Sequence, residues 1–227
     1  MYLLESTVQK EALRYLEKHY RKRAKRSIVF SRIEVGTKQQ YGGKRADGVI
    51  AFRHYFWGNY LVSIEAKSFK TLPAIQPVLD TKKLLWNSFL IGFFCCLGSG
   101  AIWFLLKMED GYLQFITPLN VWVISAILYG FFTQNSYQHK TVAVIQQLKQ
   151  YPGNEQWLAF SKDSLTKITA RQKKQLLRIC KYQGIGVVVV TKVGKVKIWR
   201  RASRSWNFFG DYFKYYSKEK EIRRTLS

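Results

Sequence analysis

Two long apolar stretches constrain this chain more than any other feature. Leu84–Leu106 has 23 residues and Tyr112–Thr133 has 22, and neither contains an acidic or basic side chain. A helix of about 20 apolar residues spans the ~30 Å hydrocarbon core of a bilayer. The first stretch also lies too far into the chain to be a signal peptide. We therefore predict a transmembrane helical hairpin over 84–133, with a buried core helix as the alternative for the second stretch.

The charges around this hairpin predict its orientation. Lys82, Lys83 and Lys140 flank it, whereas the turn between its helices carries one lysine against two acids. Lysine and arginine concentrate on the cytoplasmic side of membrane proteins. We therefore expect an integral protein of the inner or cell membrane with two spans, and with the bulk of the protein and both termini in the cytoplasm.

The remainder of the chain is strongly basic. The net charge is +24, and residues 84–133 contribute −1, so the other 177 residues carry +25. Such a surplus indicates a polyanionic partner, either nucleic acid or anionic lipid headgroups. The alternative is that the basic residues only anchor the protein at the membrane surface. The three cysteines and three histidines are scattered, so any metal must be held by carboxylates.

Hydrophobic periodicity predicts an α/β protein interrupted by the hairpin. Helices are expected over 3–19, 136–151 and 164–182, and strands over 27–35, 46–54, 60–67, 184–191 and 195–201. The domain parts are thus 1–83, the hairpin 84–133, 134–203 and a tail 204–227. The tail is expected to pack one aromatic stripe on the core, or to lie on the bilayer as an interfacial helix; this stripe contains Phe208, Phe209, Tyr212, Phe213 and Tyr216.

Charged residues near the ends of two predicted strands form a candidate site. Glu65 and Lys67 are two residues apart and therefore face the same side of their strand. Antiparallel pairing would bring Asp47 beside Glu65. Two converging carboxylates suit Mg²⁺ or Mn²⁺, and a neighbouring ammonium would offset charge building on a phosphate. The alternative is an ordinary surface ion pair with Asp47 in a turn.

The order of these elements resembles the PD-(D/E)XK nuclease superfamily. The matching residues are ADG around Asp47 and IEAKS around Glu65 and Lys67, while Ala46 stands where the eponymous proline would lie. The resemblance covers nearly all of the chain outside 84–133. It implies a restriction-endonuclease-like fold, in which helices flank a mixed central sheet, with Asp47 and Glu65 as metal ligands and Lys67 as a catalytic residue.

Further site residues follow from the same resemblance. QLKQY supplies Gln147 and Tyr151, similar to the QxxxY helix motif of the RecB-like branch, although a plain amphipathic helix is the alternative. The family's helical glutamate corresponds to Glu5 or Glu11, of which we favour Glu5. The expected function is membrane-anchored, Mg²⁺-dependent DNA cleavage.

Two other functions are compatible with the sequence. The first is a catalytically inactive nuclease-like protein that binds nucleic acid or a partner at the membrane. The second is a membrane-perturbing or channel-like effector, which the lack of charge inside the hairpin disfavours. DNA is preferred to RNA only through the family resemblance, and a homo-oligomer and a partner protein are both compatible with the sequence.

Overall fold

The computed structural model describes residues 3–68, 77–106, 111–205 and 211–227. The chain divides into two compact units. The first combines Met1–Pro77 with Val142–Ser227, and the second is Val78–Thr141.

A six-stranded mixed sheet forms the centre of the first unit. Its strands, in spatial order, are β1 Ala24–Gly36, β2 Arg45–His54, β3 Gly58–Lys67, β6 Glu155–Ser161, β7 Gly186–Lys192 and β8 Lys195–Arg200. β1, β2 and β3 are antiparallel, β6 and β7 continue the sheet parallel to β3, and β8 returns antiparallel to β7. The expected α/β class is confirmed.

Five helices belong to this unit among the described residues. They are α1 Glu5–Arg21, α4 Ala143–Leu148, α5 Lys162–Thr166, α6 Ala170–Tyr182 and α7 Glu219–Leu226. On α1, the residues Val8, Ala12, Leu16 and Tyr20 recur every fourth position and are fully buried. They pack in one cluster with the side chains of β2, β3, β6 and β7 that face the same side of the sheet.

Two predicted helices differ from the structure, and one strand was not predicted. The predicted helix over 136–151 is a 3₁₀ turn at Tyr137–His139, strand β5 at Lys140–Val142 and an α-helix only in α4. The predicted helix over 164–182 breaks before Thr169, whose hydroxyl caps α6 through a capping box with Gln172. Strand β6, in the centre of the sheet, was not predicted at all.

The aromatic tail does not form one helical stripe. Tyr212 and Phe213 lie in a short 3₁₀ turn, and α7 begins three residues after Tyr216. These three rings are at most 7% exposed, so the packing prediction is confirmed for them. The remaining predicted stripe residues, Phe208 and Phe209, lie outside the described residues.

The second unit contains two apolar helices, α2 Thr81–Leu105 and α3 Leu113–Thr133. Both Thr81–Leu105 and Ile116–Thr133 are long and apolar enough to cross a membrane, and only 11% and 6% of their apolar windows are buried within the chain. The helices contact each other where Trp122 donates a hydrogen bond to the Phe89 carbonyl at 3.3 Å. A short sheet pairs β4 Pro77–Leu79 with β5 Lys140–Val142.

A buried carboxylate connects α1, β3 and β6 at one end of the main sheet. The Glu155 carboxylate accepts hydrogen bonds from the hydroxyls of Tyr20 and Tyr60, and Trp157 Nε1 donates to the Tyr20 hydroxyl at 2.8 Å. Burial, followed by the charge of Glu155, raises the pKa of both tyrosines, so they remain neutral donors.

Removing this carboxylate is expected to destabilise the fold. Glu155→Ala leaves two buried hydroxyls without their acceptor and should lower the free energy of unfolding by about 2–5 kcal/mol. Glu155→Gln keeps one acceptor oxygen and should lose less. Denaturant unfolding followed by near-ultraviolet circular dichroism measures both variants. Equal stability of Glu155→Ala and the unmodified chain would contradict the structural role of the carboxylate.

Candidate active site

Strand pairing brings Asp47 beside the end of β3. The last paired residues of β2 and β3 are Gly48 and Ile64, and Asp47 lies one position further out, opposite Glu65. There the Asp47 carboxylate oxygen Oδ2 accepts a hydrogen bond from the Ala66 backbone N–H at 2.7 Å. The Asp47 side chain therefore replaces a backbone acceptor where the hydrogen bonding between β2 and β3 ends, and this hydrogen bond fixes the orientation of the carboxylate.

Glu65 and Lys67 form a buried ion pair. Lys67 Nζ lies 2.6 Å from Glu65 Oε1, and the two residues are only 6% and 1% exposed, respectively. The second carboxylate oxygen, Glu65 Oε2, is buried and has no hydrogen-bond partner among the described residues. An unpartnered buried carboxylate oxygen is costly in a folded protein, so this atom marks a position suited to a cation or a proton.

The surroundings of this pair shift its protonation equilibria. Burial, and then the nearby Asp47 carboxylate, raise the pKa of Glu65 to about 7 against the opposing effect of Lys67. Burial also raises the pKa of Asp47, although the Ala66 N–H and Lys67 oppose the shift. For Lys67, burial acts to lower the pKa, but the hydrogen bond to Glu65 and the surrounding carboxylates raise it overall. The ammonium group therefore stays charged at neutral pH.

The start of α1 contributes a third carboxylate. Glu5 Oε1 lies 3.7 Å from Lys67 Nζ, and Ser68 Oγ donates to Glu5 Oε2 at 3.4 Å. Glu11 lies elsewhere, because its carboxylate accepts a hydrogen bond from the Gly194 N–H in the β7–β8 turn at 2.9 Å. Of the two helical glutamates considered from the sequence, the structure brings Glu5 and not Glu11 to the Asp47–Glu65–Lys67 cluster.

Sequence reasoning missed one neighbour of the cluster, Gln9. Its side-chain amide donates to the backbone carbonyl of Asp47, and the residue is 7% exposed. Gln9 follows Glu5 by four residues and so lies on the same face of α1. A polar residue one helical turn after Glu5 and next to the buried Val8 was the available signal.

Gln147 and Tyr151 contact each other on the side of the sheet that carries Glu65. Gln147 Nε2 donates to the Tyr151 hydroxyl at 3.3 Å, and Ser63 Oγ on β3 donates to the Tyr151 carbonyl at 3.1 Å. Tyr151 lies three residues beyond the end of α4, so the predicted one-turn spacing on a continuous helix is not present. Burial raises the pKa of Tyr151. The hydrogen bond with Gln147 and the charge of Lys67 act to lower this pKa, and the charges of Glu65 and Asp47 act to raise it.

The residues of the cluster suit a hard divalent cation. In the described part of the chain, no group of three or more His, Cys, Asp or Glu side chains is arranged closely enough to hold a metal ion. Asp47 and Glu65 nevertheless offer carboxylate oxygens, including the buried unpartnered Oε2, and such oxygens are the ligands that Mg²⁺ takes from proteins. A cation bound there would be held by one or two carboxylates and would retain several waters, as is usual for Mg²⁺.

Comparisons of the chain with protein-family models, with curated proteins and with solved structures give no match.

Proposed function

We propose that this chain is a membrane-anchored, divalent-metal-dependent nuclease of the PD-(D/E)XK type that hydrolyses phosphodiester bonds of DNA at the cytoplasmic face of the membrane. The observation that carries the proposal is the buried, unpartnered oxygen of Glu65 beside Asp47 and Lys67. The Asp47 carboxylate also accepts from the Ala66 N–H, but a purely structural ion pair gives no reason for a buried Glu65 oxygen without a partner.

Each side chain of the cluster would have a separate role in phosphodiester hydrolysis. Asp47 and Glu65 would hold Mg²⁺ or Mn²⁺, which supplies Lewis acidity toward a phosphate and a lowered pKa for water when bound. Lys67 would place its charged ammonium beside the phosphate and offset the negative charge that develops there. Glu5 would orient Lys67 from α1, and the neutral Tyr151 hydroxyl, held by Gln147, would be a further hydrogen-bond donor.

The order of the elements also supports the family assignment. An amphipathic helix, three antiparallel strands, a helix and a parallel strand follow one another in the first unit. Asp47 lies near the start of β2 and Glu65 lies near the end of β3, as expected for a restriction-endonuclease-like core. DNA is proposed as the substrate through this family resemblance, and the +24 net charge supports a polyanionic partner.

The two apolar helices support the membrane part of the proposal. Lys82, Lys83 and Lys140 flank the two helices in the sequence, which favours a cytoplasmic location for the first unit and for both termini. The anchoring would confine cleavage to DNA that reaches the membrane.

A substrate panel tests the proposal. The detergent-solubilised full chain is incubated with supercoiled plasmid, linear duplex, single-stranded DNA and RNA, each with Mg²⁺, with Mn²⁺ or with a chelator. We expect DNA cleavage with either metal and none with the chelator. Binding without cleavage would favour the catalytically inactive alternative, and cleavage of RNA alone would contradict the proposed substrate.

The two glutamates of α1 provide a matched comparison. Glu5→Gln should lower the cleavage rate by about tenfold or more, as is usual when a group that supports a metal site is lost. Glu11→Gln changes a carboxylate on the same helix that, among the described residues, contacts the β7–β8 turn and Arg14, so cleavage should be unchanged. Initial rates on plasmid measure both variants. Equal rates for the two would contradict the placement of Glu5 in the site.

A further inference from the structure

Three consecutive aromatic side chains are exposed at the tip of the β2–β3 hairpin. Tyr55, Phe56 and Trp57 are 63%, 86% and 52% exposed. They precede Gly58, where β3 begins, whereas Glu65 and Lys67 stand at the other end of the same strand. At ~3.3 Å per residue, the tip lies about 30 Å from the candidate active site. This aromatic tip therefore takes no part in the chemistry proposed above.

Basic side chains surround the aromatic tip. The pairing of Ala24 with His54 places the start of β1, with the exposed residues Lys25 and Arg26, next to the end of β2. Arg53 is exposed on β2 itself. From the segment after β8, the guanidinium of Arg204 stacks over the Trp57 ring, 3.6 Å from its centroid.

A buried acid at this end of the sheet, Glu155, does not neutralise these surface charges. Glu155 is 7% exposed, and its carboxylate accepts from the hydroxyls of Tyr20 and Tyr60 and lies 3.7 Å from the guanidinium of Arg23. The tip therefore combines exposed aromatic rings with a positive rim. Aromatic rings beside lysine and arginine are typical of protein surfaces that sit at the boundary between headgroups and acyl chains.

We propose that the aromatic tip and its basic rim dock on an anionic bilayer surface. The inference rests on the membrane part of the proposed function. The bilayer is the occupant that the observations favour, because Phe56 is almost fully exposed and gains most from an apolar medium. Duplex DNA keeps its bases stacked and would offer such a ring little apolar surface.

A fluorescent label at the tip tests the docking in the full chain. Phe56→Cys is labelled with an environment-sensitive dye in a background in which Cys95 and Cys96 are replaced by serine; Cys180 is fully buried. The control is Lys44→Cys, an exposed position before β2, at the other end of the sheet. Both proteins are reconstituted into vesicles of phosphatidylcholine with or without phosphatidylserine, and retention after an alkaline carbonate wash is measured first.

We expect the label at position 56 to shift to shorter emission wavelength and to be quenched by lipid-borne quenchers, more strongly with phosphatidylserine. The label at position 44 should remain water-exposed, and Arg53→Glu should weaken the dependence on phosphatidylserine. A water-exposed label at 56 in vesicles that retain the protein would overturn the docking inference alone. Loss of the protein on washing would overturn the membrane proposal, and a shift at 56 that requires added DNA would assign the tip to nucleic acid and overturn the lipid assignment.

Discussion

Lys67→Met is expected to lower the rate of DNA cleavage by two or more orders of magnitude, as for the loss of one electrostatic donor from an active site. Methionine retains most of the buried stem of Lys67, which is 6% exposed, and removes only the ammonium that lies 2.6 Å from Glu65. The carboxylates of Asp47 and Glu65 remain, so metal binding should be largely preserved. Initial rates on plasmid and calorimetric metal titrations of the same sample separate the two effects.

The exposed Lys44 provides the control for charge alone. Lys44→Met also removes one positive charge, but from a surface position in the β1–β2 connection, and should leave the rate unchanged. Full activity of Lys67→Met under conditions where the protein is folded would contradict the assignment of this lysine. An equal loss in both lysine variants would indicate that net charge, and not the position of Lys67, governs the rate.

Removing the apolar helices is expected to release a soluble protein that still cleaves DNA. The chain ends that would be joined are close together, because the Asp80 N–H donates to the His139 carbonyl at 2.7 Å and β4 pairs with β5. A Gly/Ser linker of about four residues in place of Thr81–Gln138 therefore matches the length of common hairpin loops. Short loops add little closure entropy, so the main unit should fold without the helices.

Sedimentation after detergent removal, a cooperative thermal transition and plasmid cleavage are measured on this deletion protein. The expected result is a folded protein that stays in solution and retains metal-dependent cleavage. A deletion protein that unfolds cooperatively but does not cut, while the full chain cuts under the same conditions, would show that the helices take part in the activity.

The sequence was sufficient to predict how the candidate site assembles. Side chains alternate along strands, so the two-residue spacing of Glu65 and Lys67 placed them on one side, and antiparallel pairing placed Asp47 opposite Glu65. The choice between Glu5 and Glu11 depended on tertiary structure, because both border the apolar face of α1. The β7–β8 turn is distant in the sequence, and only the folded structure shows that its Gly194 N–H donates to the Glu11 carboxylate.

The missed strand has a different physical cause. Six of the seven residues of β6 are buried, and the five consecutive residues from Trp157 to Ser161 are buried on both sides of the strand, so hydrophobic alternation is absent. The residues Pro152 and Gly153 before it indicated only the end of the preceding element. The overlong helix prediction over 136–151 failed because β5 pairs with β4, about 60 residues earlier in the chain, and local periodicity does not contain that pairing.

Parallel measurements on the full chain and its Glu65→Gln variant test most directly whether Asp47 and Glu65 hold a catalytic metal ion. Glutamine preserves the size of the buried side chain and the acceptor for Lys67, but it removes the charge and replaces one carboxylate oxygen. Mn²⁺ titration and plasmid cleavage are followed on the same samples, with the thermal transition as a check on folding. The unmodified chain should bind Mn²⁺ and cut DNA, and the folded variant should lose both properties. Undiminished cleavage by Glu65→Gln, or cleavage by the unmodified chain that persists in excess chelator, would contradict a metal-dependent nuclease site at these residues.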